Sequence, residues 1–169
     1  MGEPHKVLTR DELKQRVAEW RRAGEKIVLT NGCFDVLHAG HIQLLSFARS
    51  HGDVLVVGLN SDRSVRMLKG AGRPVYPAAE RARLLAALEA VGYVVIFDET
   101  RAERVIHRVR PDILIKGEDW RGKGIDGGDF VESYGGRVVL APLLAGRSTS
   151  ATIERMRATA APAKRPARA

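Results

Sequence analysis

Five short segments of this chain are apolar at successive positions rather than at alternate ones: 26–30 (KIVLT), 53–59 (DVLVVGL), 93–97 (YVVIF), 112–115 (DILI) and 137–140 (RVVL). A strand that is apolar on both faces has to be covered on both faces, which points to a parallel sheet between two helical layers. The stretches between these segments read as helices. At 9–23, Thr9 and Glu12 have the spacing of a capping box, Leu13, Val17 and Trp20 recur at helical intervals, and Gly24 is the stop. Further helices are predicted at 40–50 (faces set by Ile42, Leu45 and Ala48), 77–90 (Leu84, Leu85 and Leu88 inward), 101–109, 126–134 and 150–158. The expectation is an α/β fold: one doubly wound sheet of about five parallel strands with helices on both faces.

The 169 residues suit one domain with its own core, predicted to span 1–157. The net charge of +8 raises the question of a nucleic-acid partner. Three of those charges, Lys164, Arg165 and Arg168, fall in the Ala- and Pro-rich stretch 158–169, which is expected to be a disordered basic tail; removing them leaves +5 for the body. Only 5% of residues are aromatic and the basic residues are mixed with acids, so a stacking platform along a basic stripe is not expected. Cys33 is the single cysteine, which rules out an internal disulfide and an all-cysteine zinc site. The first twenty residues are charged throughout, unlike a secretory signal, and the longest apolar run, 91–97, is far below the roughly 18 residues of a membrane span. A reduced, cytoplasmic setting is expected.

In a doubly wound sheet, ligands bind beyond the carboxyl ends of the strands. The segment after the first long strand is Thr30-Asn31-Gly32-Cys33-Phe34-Asp35-Val36-Leu37-His38-Ala39-Gly40-His41. It places two histidines three apart at a helix start, where unpaired N–H groups and partial positive charge suit a phosphate. Two imidazoles there can donate to a phosphoryl group as charge builds on it. A zinc site is the competing use of such a pair, but Cys33 supplies only a third ligand on a tight turn, and no other ligand has suitable spacing. After the second strand comes a basic loop with Lys69 as a mobile cation and Arg73 nearby. The fourth strand leads into Lys116-Gly117-Glu118-Asp119-Trp120, where Gly117 permits close approach and either acid can meet a ribose or a metal. The fifth leads into Gly146-Arg147-Ser148-Thr149-Ser150, a second hydroxyl-bearing helix start.

These segments, taken in order, resemble the cytidylyltransferase-like branch of the nucleotidyltransferases: Gly32-x-Phe34-Asp35-x-x-His38-x-Gly40-His41, then Lys69, Glu80-Arg81, Gly117-x-Asp119-Trp120 and Ser148-Thr149, over roughly 26–157. Within the branch, the stretches 30–41, 60–62, 68–75, 80–81, 88–91 and 115–119 are most similar to adenylyltransferases acting on D-glycero-β-D-manno-heptose 1-phosphate, in the stand-alone form without a sugar-kinase half. The resemblance implies a Rossmann-like fold and in-line attack of a sugar 1-phosphate on the α-phosphate of ATP. It implies Mg²⁺ held mainly by the triphosphate rather than by protein ligands. It implies His38, His41 and Lys69 as catalytic residues, with Cys33, Phe34, His38, His41, Gly117, Asp119, Ser148 and Thr149 around the nucleotide. Asp35 falls to the acceptor side and Arg81 to loop organisation. A homodimer is implied, and neither a membrane nor a nucleic acid is an expected partner. Glycerol 3-phosphate cytidylyltransferases carry Arg-Thr-x-Gly-Ile-Ser-Thr before the last helix. Leu143 stands here at the first Arg and Arg147 at the Ile, which weighs against CTP, whereas 117–123 resembles the cytidylyl enzymes too.

Overall fold

The computed structural model describes residues 5–146 and 148–160. Its elements run β1 (Val7–Leu8), α1 (Arg10–Ala23), β2 (Ile27–Gly32), α2 (Ala39–Arg49), β3 (Val54–Asn60), α3 (Asp62–Lys69), α4 (Ala78–Ala86), β4 (Tyr93–Phe97), α5 (Glu103–Val109), β5 (Ile113–Gly117), α6 (Gly128–Ser133), β6 (Arg137–Ala141) and α7 (Thr149–Ala160), with a 3-10 turn at Glu118–Trp120 after β5. The strands form one sheet in the order β1-β4-β3-β2-β5-β6, and every neighbouring pair is parallel. This is the Rossmann-like doubly wound arrangement, with the chain reversing direction across the sheet between β2 and β5.

Strand parity divides the core in two. Ile27 and Leu29 of β2, Val54 and Val56 of β3, and Leu114 of β5 pack with Leu13, Trp20, Val105, Ile106 and Val131, so α1, α5 and α6 cover one face. Val28, Leu55, Val57, Ile113 and Ile115 pack with Leu45, Ala48, Ala82 and Leu85, so α2 and α4 cover the other. Both sets are apolar because both faces are roofed. The first helix is capped as its sequence dictates: the Thr9 amide donates to Glu12 Oε2 (2.7 Å), the Glu12 amide to Thr9 Oγ1 (3.3 Å), and Gly24 ends the helix with φ +70°.

The structure departs from the sequence reading in several places. Among the described residues there are six strands rather than about five. The extra one, β1, pairs Val7 with Val94 at the sheet edge and is too short to show any periodicity. Residues 62–69, expected as loop, form α3, whose Ser61 side chain caps it by accepting from the Ser64 amide at 3.2 Å. Lys69 is therefore the last residue of a helix, not a loop cation. The helix expected over 77–90 ends at Ala86, and Leu84 is exposed on it while Leu85 is buried. The helices expected at 101–109 and 126–134 shorten to α5 and α6. The closing helix extends to Ala160, past the expected boundary at 157; residues 161–169, like Arg147, lie outside the described residues. No described helix is long and apolar enough to cross a membrane.

Candidate active site

A cleft of about 670 Å³ opens at the carboxyl ends of β2 and β5, where the chain reverses across the sheet. That volume is typical of a small-molecule site. His38, His41, Lys69, Cys33, Phe34, Asp35, Gly117, Asp119, Ser148 and Thr149 all line it; Arg81 does not.

The histidines are arranged by the start of α2. His38 is its N-cap residue, and its Nδ1 accepts from the Gly40 amide at 3.1 Å. The His41 Nδ1 accepts in turn from the His38 amide at 3.4 Å. The rings stack with centroids 3.8 Å apart, and His41 leans on Phe34 at 5.2 Å. An Nδ1 that accepts an amide hydrogen carries no proton, so each neutral ring has its N–H on Nε2. Burial, with the neighbouring His38 adding to it, lowers the pKa of His41 to about 4. At neutral pH that ring is a neutral Nε2–H donor at a helix N-terminus.

The turn that delivers these rings is tight. Phe34 adopts φ +42°, a left-handed backbone uncommon outside glycine. Its ring lies so close to Gly32 that a Cβ there would sit 3.3 Å from it. At the end of β5 a Cβ on Gly117 would meet Asp119 Oδ1 at 2.5 Å, so the glycine lets that carboxylate fold back over the strand end. Glu118, the other acid considered there, accepts from Arg121 at 2.6 Å and is not part of the lining.

Behind the lining is a buried polar frame. Arg81 is fully buried. It donates to the carbonyls of Tyr76 (2.9 Å), Cys33 (2.6 Å) and Asn60 (2.8 Å), and to Asp62 Oδ1 (2.8 Å), tying the ends of β2 and β3 to α3 and α4. Asp35 was expected on the acceptor side, but its carboxylate is inaccessible. It accepts from Arg73 Nε (2.5 Å), the Val75 amide (2.8 Å) and the Tyr76 amide (3.1 Å), and so shapes the 73–76 loop. Burial pushes the Asp35 pKa up, but the Val75 amide, Arg73 and the Tyr76 amide outweigh burial and hold it below its ordinary 3.8. Arg73 and Arg81 are thus engaged internally, whereas Lys69 is exposed; Arg147, also expected beside the pocket, lies outside the described residues. Burial raises the Cys33 thiol above its ordinary range despite Lys69, Arg81 and Arg73 nearby.

Ser148 Oγ accepts from the Ala151 amide at 3.1 Å, capping α7, and Thr149 Oγ1 donates to the Val36 carbonyl at 3.5 Å. That second contact brings the start of α7 beside the start of α2. The cleft also contains residues that sequence reasoning gave no role: Thr30, Asn31, Arg101, Lys116 and Asp126. Thr30 Oγ1 is buried and, among the described residues, has no hydrogen-bond partner. Lys116 had a readable signal, since a lysine inside an otherwise apolar strand is out of place unless something in the site uses it. No group of three or more His, Cys, Asp or Glu side chains able to hold a metal occurs among the described residues.

Residues 29–137 match the cytidylyltransferase-like family. The chain is 55% identical over 150 residues to the bifunctional protein HldE of Koribacter versatilis, and 51% identical over 151 residues to that of Geobacter metallireducens. Each alignment takes in 89% of this chain and 31% of the relative, so the chain spans about a third of the length of these curated relatives. Among solved structures, the lipopolysaccharide core biosynthesis protein from Thermoplasma volcanium GSS1 superposes with a TM-score of 0.58 at 27% identity, covering 72% of this chain and 98% of that one. Pantoate-beta-alanine ligase from Francisella tularensis, solved with beta-gamma ATP and beta-alanine, gives a TM-score of 0.64 at 14% identity, covering 87% of this chain and 69% of that one; this likeness is one of fold alone.

Proposed function

The chain belongs to the cytidylyltransferase-like family of nucleotidyltransferases, and from that premise we propose that it transfers AMP from ATP to D-glycero-β-D-manno-heptose 1-phosphate, giving ADP-heptose and pyrophosphate. The observation that carries the chemistry is the pair of stacked imidazoles lining the cleft at the start of α2, each with Nδ1 held by a backbone amide hydrogen. The choice of nucleotide and acceptor is supported by the sequence resemblance and by relatives that carry the name of the bifunctional protein HldE.

MgATP is the substrate, and its magnesium enters on the triphosphate. The sugar phosphate is already an anion, so its attack needs no general base. One of its oxygens forms a bond to the α-phosphorus as the bond to the β-phosphate oxygen breaks, and the electron pair leaves with pyrophosphate. The Nε2–H groups of His38 and His41 meet charge gathering on the α-phosphate oxygens, a role worth on the order of 10²–10³-fold per donor. Lys69 neutralises phosphate charge from the end of α3. Ser148 and Thr149 receive the β- and γ-phosphates at the start of α7, where helix N–H groups also point. Cys33, Phe34, Gly117 and Asp119 border the nucleoside. Arg81 acts from behind by fixing the strand ends, and Asp35 by fixing the loop after α3. The reaction belongs to the cytoplasm, and the active species is a homodimer, checked by sedimentation.

Pyrophosphate release from ATP or CTP, each paired with the heptose phosphate or glycerol 3-phosphate, tests the assignment. ATP with the heptose phosphate is expected to give the highest kcat/KM. Preference for CTP with glycerol 3-phosphate, the reading to which 117–123 lends itself, would overturn it.

A further inference from the structure

We infer that the side of the cleft on the α1–α5–α6 face of the sheet is the acceptor subsite, where Lys116 takes the phosphate of a polyhydroxylated phosphomonoester and Asp126, held by Arg101, takes its hydroxyls. The location rests on the proposed nucleotidyl transfer with its pyrophosphate at the start of α7, and the sugar-phosphate class of acceptor on the proposed substrate. By strand parity Asn31 and Lys116 continue the row of Ile27, Leu29 and Leu114, on the α1–α5–α6 face of the sheet. The histidines sit at the start of α2, which covers the opposite face, and the start of α7 lies beside them through Thr149 and Val36. In-line displacement requires the nucleophile to enter opposite the leaving group. With pyrophosphate on the α2–α7 side, the incoming phosphate arrives from the Lys116 side.

The groups there suit that ligand. Lys116 is only 6% exposed, yet lines the cleft. One of its N–H groups donates to Asn31 Oδ1 at 2.6 Å, and among the described residues no second acceptor lies within hydrogen-bond distance. Trp120 faces the ammonium with its ring 5.1 Å away. A buried ammonium that lines a cleft with only one of its three donors matched to a protein acceptor is a binding group for an anion. Burial lowers its pKa to about 8 against the opposing pull of Asp126 and Asp119, so the ammonium remains mostly charged at neutral pH, and an arriving phosphate favours that charged form further. Asp126 accepts from Arg101 Nε (2.9 Å) and Nη2 (2.8 Å) through Oδ1, which fixes its carboxylate at the wall of the cleft. A fixed carboxylate is a natural acceptor for neighbouring hydroxyls.

The test uses the full chain and the variants Lys116→Met, Lys116→Arg and Asp126→Asn. Lys116→Met is expected to raise the acceptor KM by roughly 10- to 100-fold, as for loss of a hydrogen bond to a charged group. Lys116→Arg recovers part of that loss, Asp126→Asn costs several-fold, and the MgATP KM stays within about threefold throughout. In the wild type, the side-chain NMR signal of Lys116 shifts on adding heptose 1-phosphate or glycerol 3-phosphate without nucleotide, and not on adding MgATP alone. This readout does not depend on a variant folding. Equal rises in both KM values, or a Lys116 signal that answers MgATP and neither phosphomonoester, would overturn the subsite. If CTP and glycerol 3-phosphate prove to be the substrates, the heptose reading falls, while the same split measured on glycerol 3-phosphate upholds the subsite.

Discussion

The wall behind the cleft and the lining of the cleft contain the same kinds of residue and use them in opposite ways. In the wall, Arg81 gives four hydrogen bonds to protein acceptors and the Asp35 carboxylate takes three donors, so these charges hold loops and strand ends in place. In the lining, His41 holds Nδ1 against the His38 amide and keeps Nε2–H as a donor, and among the described residues Lys116 has one bonded donor out of three. Charge type alone therefore does not mark a catalytic group. What matters is whether the protein already satisfies its hydrogen-bonding capacity.

The sharpest way to break this contrast is Arg81→Met. Loss of the guanidinium strands three carbonyls and should destabilise the fold by about 3–5 kcal/mol, read by urea denaturation. A variant of unchanged stability that loses only turnover would move Arg81 into the lining. Next in size, His38→Ala and His41→Ala should each lower kcat by on the order of 10²–10³-fold with the fold intact. His38→Ala additionally gives up the α2 cap, about 1 kcal/mol.

His41 also sharpens the contrast through pH. Its pKa in the folded protein lies below the ordinary 6.5, so the unfolded chain takes up the proton first. Its contribution to stability is complete above about 6.5 and is lost as pH falls towards 4. The ring signal of His41 should titrate near pH 4 by NMR; a midpoint near 6.5 would mean that it is not buried as a neutral donor.

Asp35→Asn probes the wall more gently, at about 2 kcal/mol. The wild-type carboxylate has a lowered pKa, so its stabilisation is present above about pH 4 and fades as pH falls through the lower folded value. Acid-denaturation curves should therefore be flatter for Asp35→Asn than for the wild type below pH 4. Smallest of all, Thr30→Val removes a buried hydroxyl that has no partner among the described residues, and should change stability by less than about 1 kcal/mol while leaving turnover unchanged.

The doubly wound sheet was legible in the sequence because roofed strands cannot alternate, and the α2 start was legible because His38, Gly40 and His41 are contiguous. β1 escaped because two residues have no period. α3 escaped because Arg63, Arg66 and Lys69 on a short exposed helix look like a solvated loop; its cap, Ser61, was the available signal. Asp35 and Arg81 stand in the motif, but their partners include Arg73, 38 residues from Asp35, and Cys33, 48 residues from Arg81, and sequence spacing does not encode those meetings. Lys116 draws less notice than Gly117 and Asp119 beside it, although a cation in an apolar strand is itself the anomaly.

The most direct measurement follows the α-phosphate. Incubation with ATP labelled at the α-phosphorus, magnesium and D-glycero-β-D-manno-heptose 1-phosphate should move the label entirely into a sugar nucleotide of ADP-heptose mass, with one pyrophosphate per turnover and the rate reduced at least 100-fold in His38→Ala. Label recovered as AMP, or no transfer from ATP while labelled CTP yields a cytidylyl product, would contradict the account.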